Sequence, residues 1–534
     1  MDVPAGCHKE KSLEGLRFIG TKHEVMKEFG FSVSQRLMEV EARVLPAPWL
    51  LSGGQVQPRD AKWGRGSLQE PSKCGRLRGV GVLVLTENVD HVMQNVFQLR
   101  DELARKCVCD LQLNDRVVEI VPWDGSRGPL AANKCSFQTR EPLRVVICAM
   151  PGSRNDSKAA DCRAAIVHTC DIELGVVTFL LRGEVGQGFC PGAKGGKGGK
   201  RAGGGKGGKG GKGGDFGLFT NTAYLQNLAI KINCKLGGSH TTWSRDNPPV
   251  PRELLEPTLI MGGDCTRPSN GPGVSAVSGN MDQYFTQYIG RFTRQPHGSN
   301  QTEILTNLKG MAMEILKEFQ QAHGRLPKFI VFLRDGVTEG QMLEVLQKEV
   351  QALIDALCEL TGARSVKDRL RSNGPRICFA VIRKGHKVHL YNGDKNPEPG
   401  TVVDHPDFTD AELVNFNLVS HTGIGRPENQ KSVKVPSYVV LYDEIWHDRP
   451  DPIAMPLEQI QKMCFALCHL YGYCQMAPSL PAPVVYAHKI AERARLYYQH
   501  LEGSDSGSML STGGGDGMED QLLLHRDIRN KMFW

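Results

Sequence analysis

Two apolar runs in this sequence end on a carboxylate. PTLIMGGDC places Asp264, and KFIVFLRDG places Asp335, at the point where a buried strand would leave a sheet. In open α/β sheets that carboxyl edge is where ligands bind. Packing alone gives no reason to end such strands on ionised residues. If the strands are neighbours the two carboxylates repel, and a divalent cation is the usual reason for a fold to hold them together. Hard oxygen donors suit Mg2+, with Mn2+ as the alternative. A two-metal site of this kind activates a water and stabilises the leaving oxygen in phosphodiester cleavage. The plainer alternative is that each aspartate caps a helix or sits in a surface loop. A second metal candidate, Cys464, Cys468, His469 and Cys474, has two thiols one helical turn apart. Its Leu- and Phe-rich surroundings suit buried thiols better than zinc.

The elements around these residues follow from hydrophobic spacing. From residue 257 onward short apolar strands alternate with amphipathic helices. One helix, 301–322, sets Ile304, Leu308, Met311, Ile315 and Phe319 on one face; another, 339–360, sets Met342, Leu346, Val350, Leu353 and Leu357. RICFAVIRKGHKVHLYN (376–392) reads as a strand hairpin, and helical blocks follow at 457–472 and 481–501. The pattern predicts an α/β unit with a mixed sheet. Upstream, GVGVLVLTENV (79–89), a helical 91–107 and PLRVVICAMPGS (142–153) make strand–helix–strand, and TNTAYLQNLAIKINCKLGG (220–238) makes a capped helix ending at Gly237 and Gly238. Between the last two lies 192–214, a Gly/Lys run that cannot build a core and reads as a flexible cationic loop interrupting the smaller domain. Weak, salt-sensitive attraction to RNA and an inert insertion are equally good readings of it.

Four blocks carry a resemblance. MGGDCTRP (261–268), RDGVTEGQ (334–341), SHTGIGRP (420–427) and SLPAPVVYAHKIAERAR (479–495), in that order, resemble the PIWI domain of eukaryotic Argonaute proteins. That domain is similar to ribonuclease H, and the family's slicing members bind two Mg2+ ions with an Asp-Glu-Asp-His tetrad. The resemblance implies catalytic positions at Asp264, Glu303, Asp335 and His488, with Asp264, Asp335 and His488 as metal ligands and Glu303 as a mobile glutamate that completes the tetrad. Without it, Glu303 reads as an acidic residue in a helix's first turn, and His488 as a buried histidine at a helix start.

The remainder continues the resemblance. KEFGFSVSQRLMEVEARVLPAPWLLSGG (27–54) is similar to the second Argonaute linker, and 78–238 to the MID domain, a Rossmann-like fold that holds the 5′ phosphate of a guide. The implied phosphate ligands are Asn227, Lys231 and Lys235 on the 224–238 helix, with Ser479 and Arg493 lent by the PIWI domain. A helix N-terminus and lysines suit an anion physically, and Lys231 and Lys235 share a face; two lysines on a helix otherwise read as a solvated surface. SRNDSKAADCRAAIVH (153–168) lacks the tyrosine that the family stacks on the first guide base, Lys158 and Arg163 being loose substitutes. Phe179 falls where the family has a glutamine. First-base stacking, worth about 1–3 kcal/mol, is therefore in question.

The layout implied is a tail (1–21), a linker-2-like segment (22–77), a Rossmann-like MID domain (78–238, with 186–214 as the disordered Gly/Lys insertion) and a ribonuclease H-like PIWI domain (239–534). It leaves no room for the family's N and PAZ domains, which implies either a short, MID-PIWI-only form or an incomplete version of a longer chain. The function implied is small-RNA-guided silencing with Mg2+-dependent cleavage of guide-complementary RNA. The alternative is a guide-loaded factor that does not cut and represses through recruited partners. Partners implied are a 5′-phosphorylated guide RNA, a complementary target RNA and silencing effector proteins. Composition adds bounds. The chain has 534 residues and a net charge of +7, and the seven cations within 186–214 account for all of it, so overall charge is no argument for nucleic-acid binding. No apolar run approaches the ~20 residues of a membrane span, no secretory leader is recognisable, and the 16 cysteines form no regular framework. A soluble cytoplasmic protein, with a nuclear location as the alternative, is expected.

Overall fold

Strands that are apolar along their whole length need cover on both faces, and two separate sheets meet that need here. The computed structural model describes residues 28, 37–52, 54–63, 76–77, 80–84, 97, 100–101, 110–111, 118–120, 145–150, 157–182, 222–266, 273–295, 303–386, 388–405, 414–423, 432–446, 456–503 and 522–531. The Gly/Lys run at 192–214, nearly all of the expected 91–107 helix and the second half of SHTGIGRP lie outside them.

Strand β1 (Arg43–Val44) is a two-residue edge strand. β2 (Val80–Val84), β3 (Val118–Ile120), β4 (Val145–Met150) and β5 (Val177–Arg182) form a parallel sheet in the order β3-β2-β4-β5. Helix α1 (Ser157–His168) connects β4 to β5, and α2 (Thr222–Lys235) follows. This is a Rossmann-like arrangement of parallel strands, with α1 as a described helical crossover.

The larger layer contains β6 (Thr258–Thr266), β7 (Val274–Asn280), β8 (Tyr288–Arg294), α3 (Leu308–His323), β9 (Phe329–Asp335), α4 (Gln351–Thr361), β10 (Arg376–Arg383), β11 (Thr401–Val403), β12 (Val414–Leu418), β13 (Ser437–Asp443), α5 (Pro456–His469) and α6 (Ala482–Gly503). Its nine strands run β1-β11-β12-β13-β10-β9-β6-β7-β8. β6, β9 and β10 are mutually parallel at the centre, while the flanking pairs are antiparallel, so the sheet is mixed. The period of two sorts the central residues. Leu259, Met261, Ile330 and Phe332 pack with Met311, Ile315 and Phe319 of α3. Ile260, Val331 and Leu333 pack on the opposite face with Met463, Cys464 and Leu467 of α5. Each such side chain, fully buried, contributes about 1.5–3 kcal/mol.

Three expectations change. The helix expected over 301–322 begins at Leu308, after Asn307 in the left-handed region. The preceding backbone is bonded sideways: Leu305 N–H donates to Glu349 Oε1 and Thr306 N–H to Ser275 Oγ, so these groups are not available for a helical turn. Glu303 therefore lies in an irregular stretch and not in a first helical turn. The 376–392 hairpin does not form. β10 already has β9 on one side and β13 on the other, which leaves no edge for a return strand. The 339–360 helix is assembled in pieces, a 3-10 turn at Glu339–Gln341, an α turn at Met342–Val345 and a π segment at Leu346–Val350 leading into α4. The π segment carries Glu349, which is buried. Cys464 and Cys468 are fully buried in the apolar core, and His469 Nδ1 bonds to the Phe465 carbonyl, so these side chains serve packing.

Candidate functional site

The parallel register of β6 and β9 sets Gly263 opposite Arg334. The next pair along the strands is Asp264 and Asp335, so the two carboxylates leave the carboxyl edge of the sheet side by side. Their positions share parity with Ile260 and Leu333, which places both on the face that α5 and α6 cover. Gly262 brings α6 close. A Cβ there would collide with the backbone of Pro483, and Ser278 Oγ donates a bond of 2.7 Å to the Pro483 carbonyl. Pinned at its first turn, α6 delivers His488 over the strand end. His488 Nδ1 lies 2.7 Å from Asp264 Oδ2, and His488 Nε2 lies 3.3 Å from Glu492 Oε1. Hydrogen bonds donated to these carboxylates raise the His488 pKa from 6.5 to about 9, and the same contact lowers Glu492 to about 2. The imidazole is thus a cation at neutral pH in the metal-free protein.

Asp335 is the more buried acid. Its Oδ1 is buried with no hydrogen-bond partner, while Oδ2 forms an ion pair with Lys384 Nζ. Burial raises its pKa; Lys384 acts in the opposite direction, and Asp264 adds to the rise. Arg334, between the two acids in sequence and on the other face, is fully buried. Its Nε bonds to both Glu349 oxygens at 3.1 and 3.0 Å, and its terminal nitrogens donate to the carbonyls of Asp335 and Glu303. One guanidinium therefore ties the end of β9 to the Glu303 segment. Glu303 Oε2 is buried without a partner. Among the described residues no three His, Cys, Asp or Glu side chains approach closely enough to hold a metal. The structure thus brings Asp264, Asp335 and His488 to one strand edge and leaves Glu303 held nearby through its backbone. In kind, two carboxylates with an orphaned buried oxygen and an imidazole fit a hard divalent cation.

The second set of residues gathers where α2 meets α6. Asn227, Lys231 and Lys235 follow one another at four-residue intervals along α2. Lys235 Nζ donates to the Thr178 carbonyl at 3.3 Å and lies 5.1 Å from the centre of the Phe179 ring. Arg493 donates to Asp171 through Nε and Nη2, at 2.6 and 2.9 Å, and to Thr178 Oγ1. Tyr497 OH completes the cluster with a 2.6 Å bond to Asp171 Oδ2. Burial and the neighbouring Arg493 push Lys235 well below its ordinary pKa, and Lys231, more open to solvent, shifts the same way through burial and Lys489. Cations crowded together with one carboxylate among them leave a positive potential that an anion would relieve. Asn227 is exposed, Ser479 lies in the bend before α6, and the α1 stretch that carries Lys158 and Arg163 contains no aromatic residue. Asp171, Lys384 and the Arg334–Glu349 pair escaped sequence reasoning. Their only sequence signal is a charge inside or beside an apolar run, and that signal names no partner.

Comparison with known proteins gives a consistent family. The Piwi domain is matched over residues 217–499 and the Argonaute linker 2 domain over residues 11–51. Rice protein argonaute 2 is 26% identical over 93% of this chain and 45% of its own length. Kluyveromyces polysporus Argonaute, solved with a guide RNA, superposes with a TM-score of 0.72 at 18% identity, covering 98% of this chain and 60% of that one. The C-terminal lobe of a budding yeast Argonaute gives 0.68 at 18% identity, over 92% of this chain and 95% of that lobe. The chain spans less than half the length of the rice relative.

Proposed function

The chain belongs to the Argonaute family, and on that premise we propose that it binds a small guide RNA by its 5′ phosphate and cuts RNA complementary to that guide. One observation carries the cutting half of this reading: Asp264 and Asp335 share one face and one edge of adjacent parallel strands, with His488 bonded to the first. Asp264, Asp335 and His488 would hold Mg2+, or Mn2+ in its place. When bound, the metal supplies Lewis-acid activation of a water and stabilisation of the leaving oxygen. The protein's own part is positional. The β6/β9 register fixes the spacing of the acids, Gly262 and Ser278 fix the height of His488, and Arg334 holds the Glu303 segment by its backbone carbonyl. Water attacks the phosphorus of the target as its bond to one ribose oxygen breaks.

The binding half rests on Lys231, Lys235 and Arg493, whose crowded positive charge suits a terminal phosphate. Base pairing with the guide would then select the target, the protein reading only backbone and shape. The guide-loaded factor that does not cut, acting through recruited silencing proteins, is the second reading. It is favoured by the start of α3 at Leu308, which leaves Glu303 outside the helix, held through its backbone carbonyl by Arg334. No helix among the described residues is long and apolar enough to cross a membrane. On the cysteine usage we propose the cytoplasm as its location, with the nucleus as the alternative.

The test is a labelled RNA complementary to a loaded, 5′-phosphorylated guide. A cut that requires Mg2+, and that Asp264→Ala or Asp335→Ala reduces by at least about a thousandfold (roughly 4 kcal/mol) while the guide stays bound, is the expected result. Guide retention that falls in Lys231→Ala and Lys235→Ala with no cut in any variant would favour the second reading.

A further inference from the structure

Each acid at the strand edge already has a nitrogen partner. Asp264 has the His488 imidazole. Asp335 has Lys384, one residue beyond the end of β10, whose ammonium pairs with Oδ2 and leaves Oδ1 without a partner. The register explains the reach: Asp335 lies opposite Ile382, so a side chain two residues further along extends back over the carboxylate. The other positive groups nearby are engaged elsewhere. Arg334 faces the opposite side and holds Glu349 with two backbone carbonyls, and Arg383 pairs with Glu339. The two partners also differ in access. The Asp335 side chain is 2% exposed and that of Lys384 is 35% exposed. Lysine is a compact, strongly hydrated charge on a flexible stem, so this one has water to return to, whereas the acid does not.

We propose that Lys384 is a resident counter-ion for Asp335: it occupies the cation side of the carboxylate in the metal-free protein, is displaced when a divalent cation binds, and so sets the metal affinity of the site. This rests on the reading of Asp264 and Asp335 as metal ligands. Two consequences separate it from a surface ion pair. Removing the ammonium strengthens metal binding, since the metal no longer competes with a tethered charge. It also leaves the buried Asp335 carboxylate without its ion-pair partner, which destabilises the metal-free protein and not the metal-bound one.

The experiment is a Mn2+ titration of the full chain, read by calorimetry and by the electron paramagnetic resonance signal of free Mn2+, together with thermal unfolding in chelator and in saturating Mn2+. Lys384→Met and Lys384→Gln should each tighten Mn2+ binding by about tenfold or more. They should lower the unfolding midpoint in chelator and regain the wild-type midpoint with Mn2+. Arg383→Met, which removes an equal charge one residue away, should change affinity by less than about twofold. Wild-type affinity in both Lys384 variants, or an equal gain in Arg383→Met, would overturn the counter-ion role while leaving the metal site standing. No Mn2+ bound by wild type or any variant would overturn the metal-ligand reading itself, and the counter-ion role with it.

Discussion

At the residue scale, Asp264 and Asp335 were legible because the rule that found them is local: an apolar run ending in a charge marks a strand leaving a sheet. His488, Lys231 and Lys235 needed the family resemblance, since a lone histidine or two lysines on a helix have commoner explanations. Lys384 and Asp171 were not legible, because the partner of a charge is decided by register and by contacts hundreds of residues apart. The state of His488 makes a prediction at this scale. Its pKa is raised from 6.5 to about 9 by Asp264 and Glu492. A raised value means that the folded state binds the proton more tightly, so the contribution is fully present below about pH 6.5 and is lost as pH rises through about 9. In chelator, wild-type stability should therefore decline between these values more steeply than that of His488→Asn. Parallel pH profiles of the two in denaturant titrations would count against the ion pair.

At the element scale, strand–helix alternation gave the mixed α/β class and most helices within a few residues. The misplaced start of α3 has a definite cause. Its preceding turn is held by Glu349 and Ser275, which come from elements 44 and 31 residues away, and no helical periodicity records such a bond. The absent hairpin after β10 has a similar cause, because only the completed sheet shows that both edges of β10 are taken. The Arg334–Glu349 pair is the element-level anchor, joining β9, the π segment and the Glu303 stretch. Glu349→Gln leaves a buried guanidinium without its carboxylate and should cost about 3–5 kcal/mol, measured by urea unfolding. Hydrogen exchange at the Leu305 amide, which loses its charged acceptor, should accelerate beyond the global change. A loss below about 1 kcal/mol would show that the pair is dispensable.

At the scale of the whole molecule, the two sheets are joined by Asp171 from the smaller unit and by Arg493 and Tyr497 on α6, the same helix that carries His488. One helix thus carries both the Arg493 cluster, proposed to hold a phosphate, and His488 at the carboxylate edge, five residues apart. The sequence placed both on one helical block; what it did not show is the Asp171 contact that joins this helix to the smaller sheet. Asp171→Ala strands the buried arginine and should cost about 3–5 kcal/mol, with calorimetry showing the smaller unit melting ahead of the larger one. A single unshifted transition would deny the joint its role. The same geometry makes the central claim measurable, since a guide held by its 5′ end at Arg493, as proposed, would set its target in a fixed register with the acids beside His488, five residues away on the same helix. The direct measurement maps the cut in one labelled RNA under a series of 5′-phosphorylated guides, each displaced by a single nucleotide. The cut should move by one nucleotide with each guide, in Mg2+ and not in chelator. A cut that stays at a fixed target position, or that persists in Asp335→Ala, would contradict guided cleavage at this site.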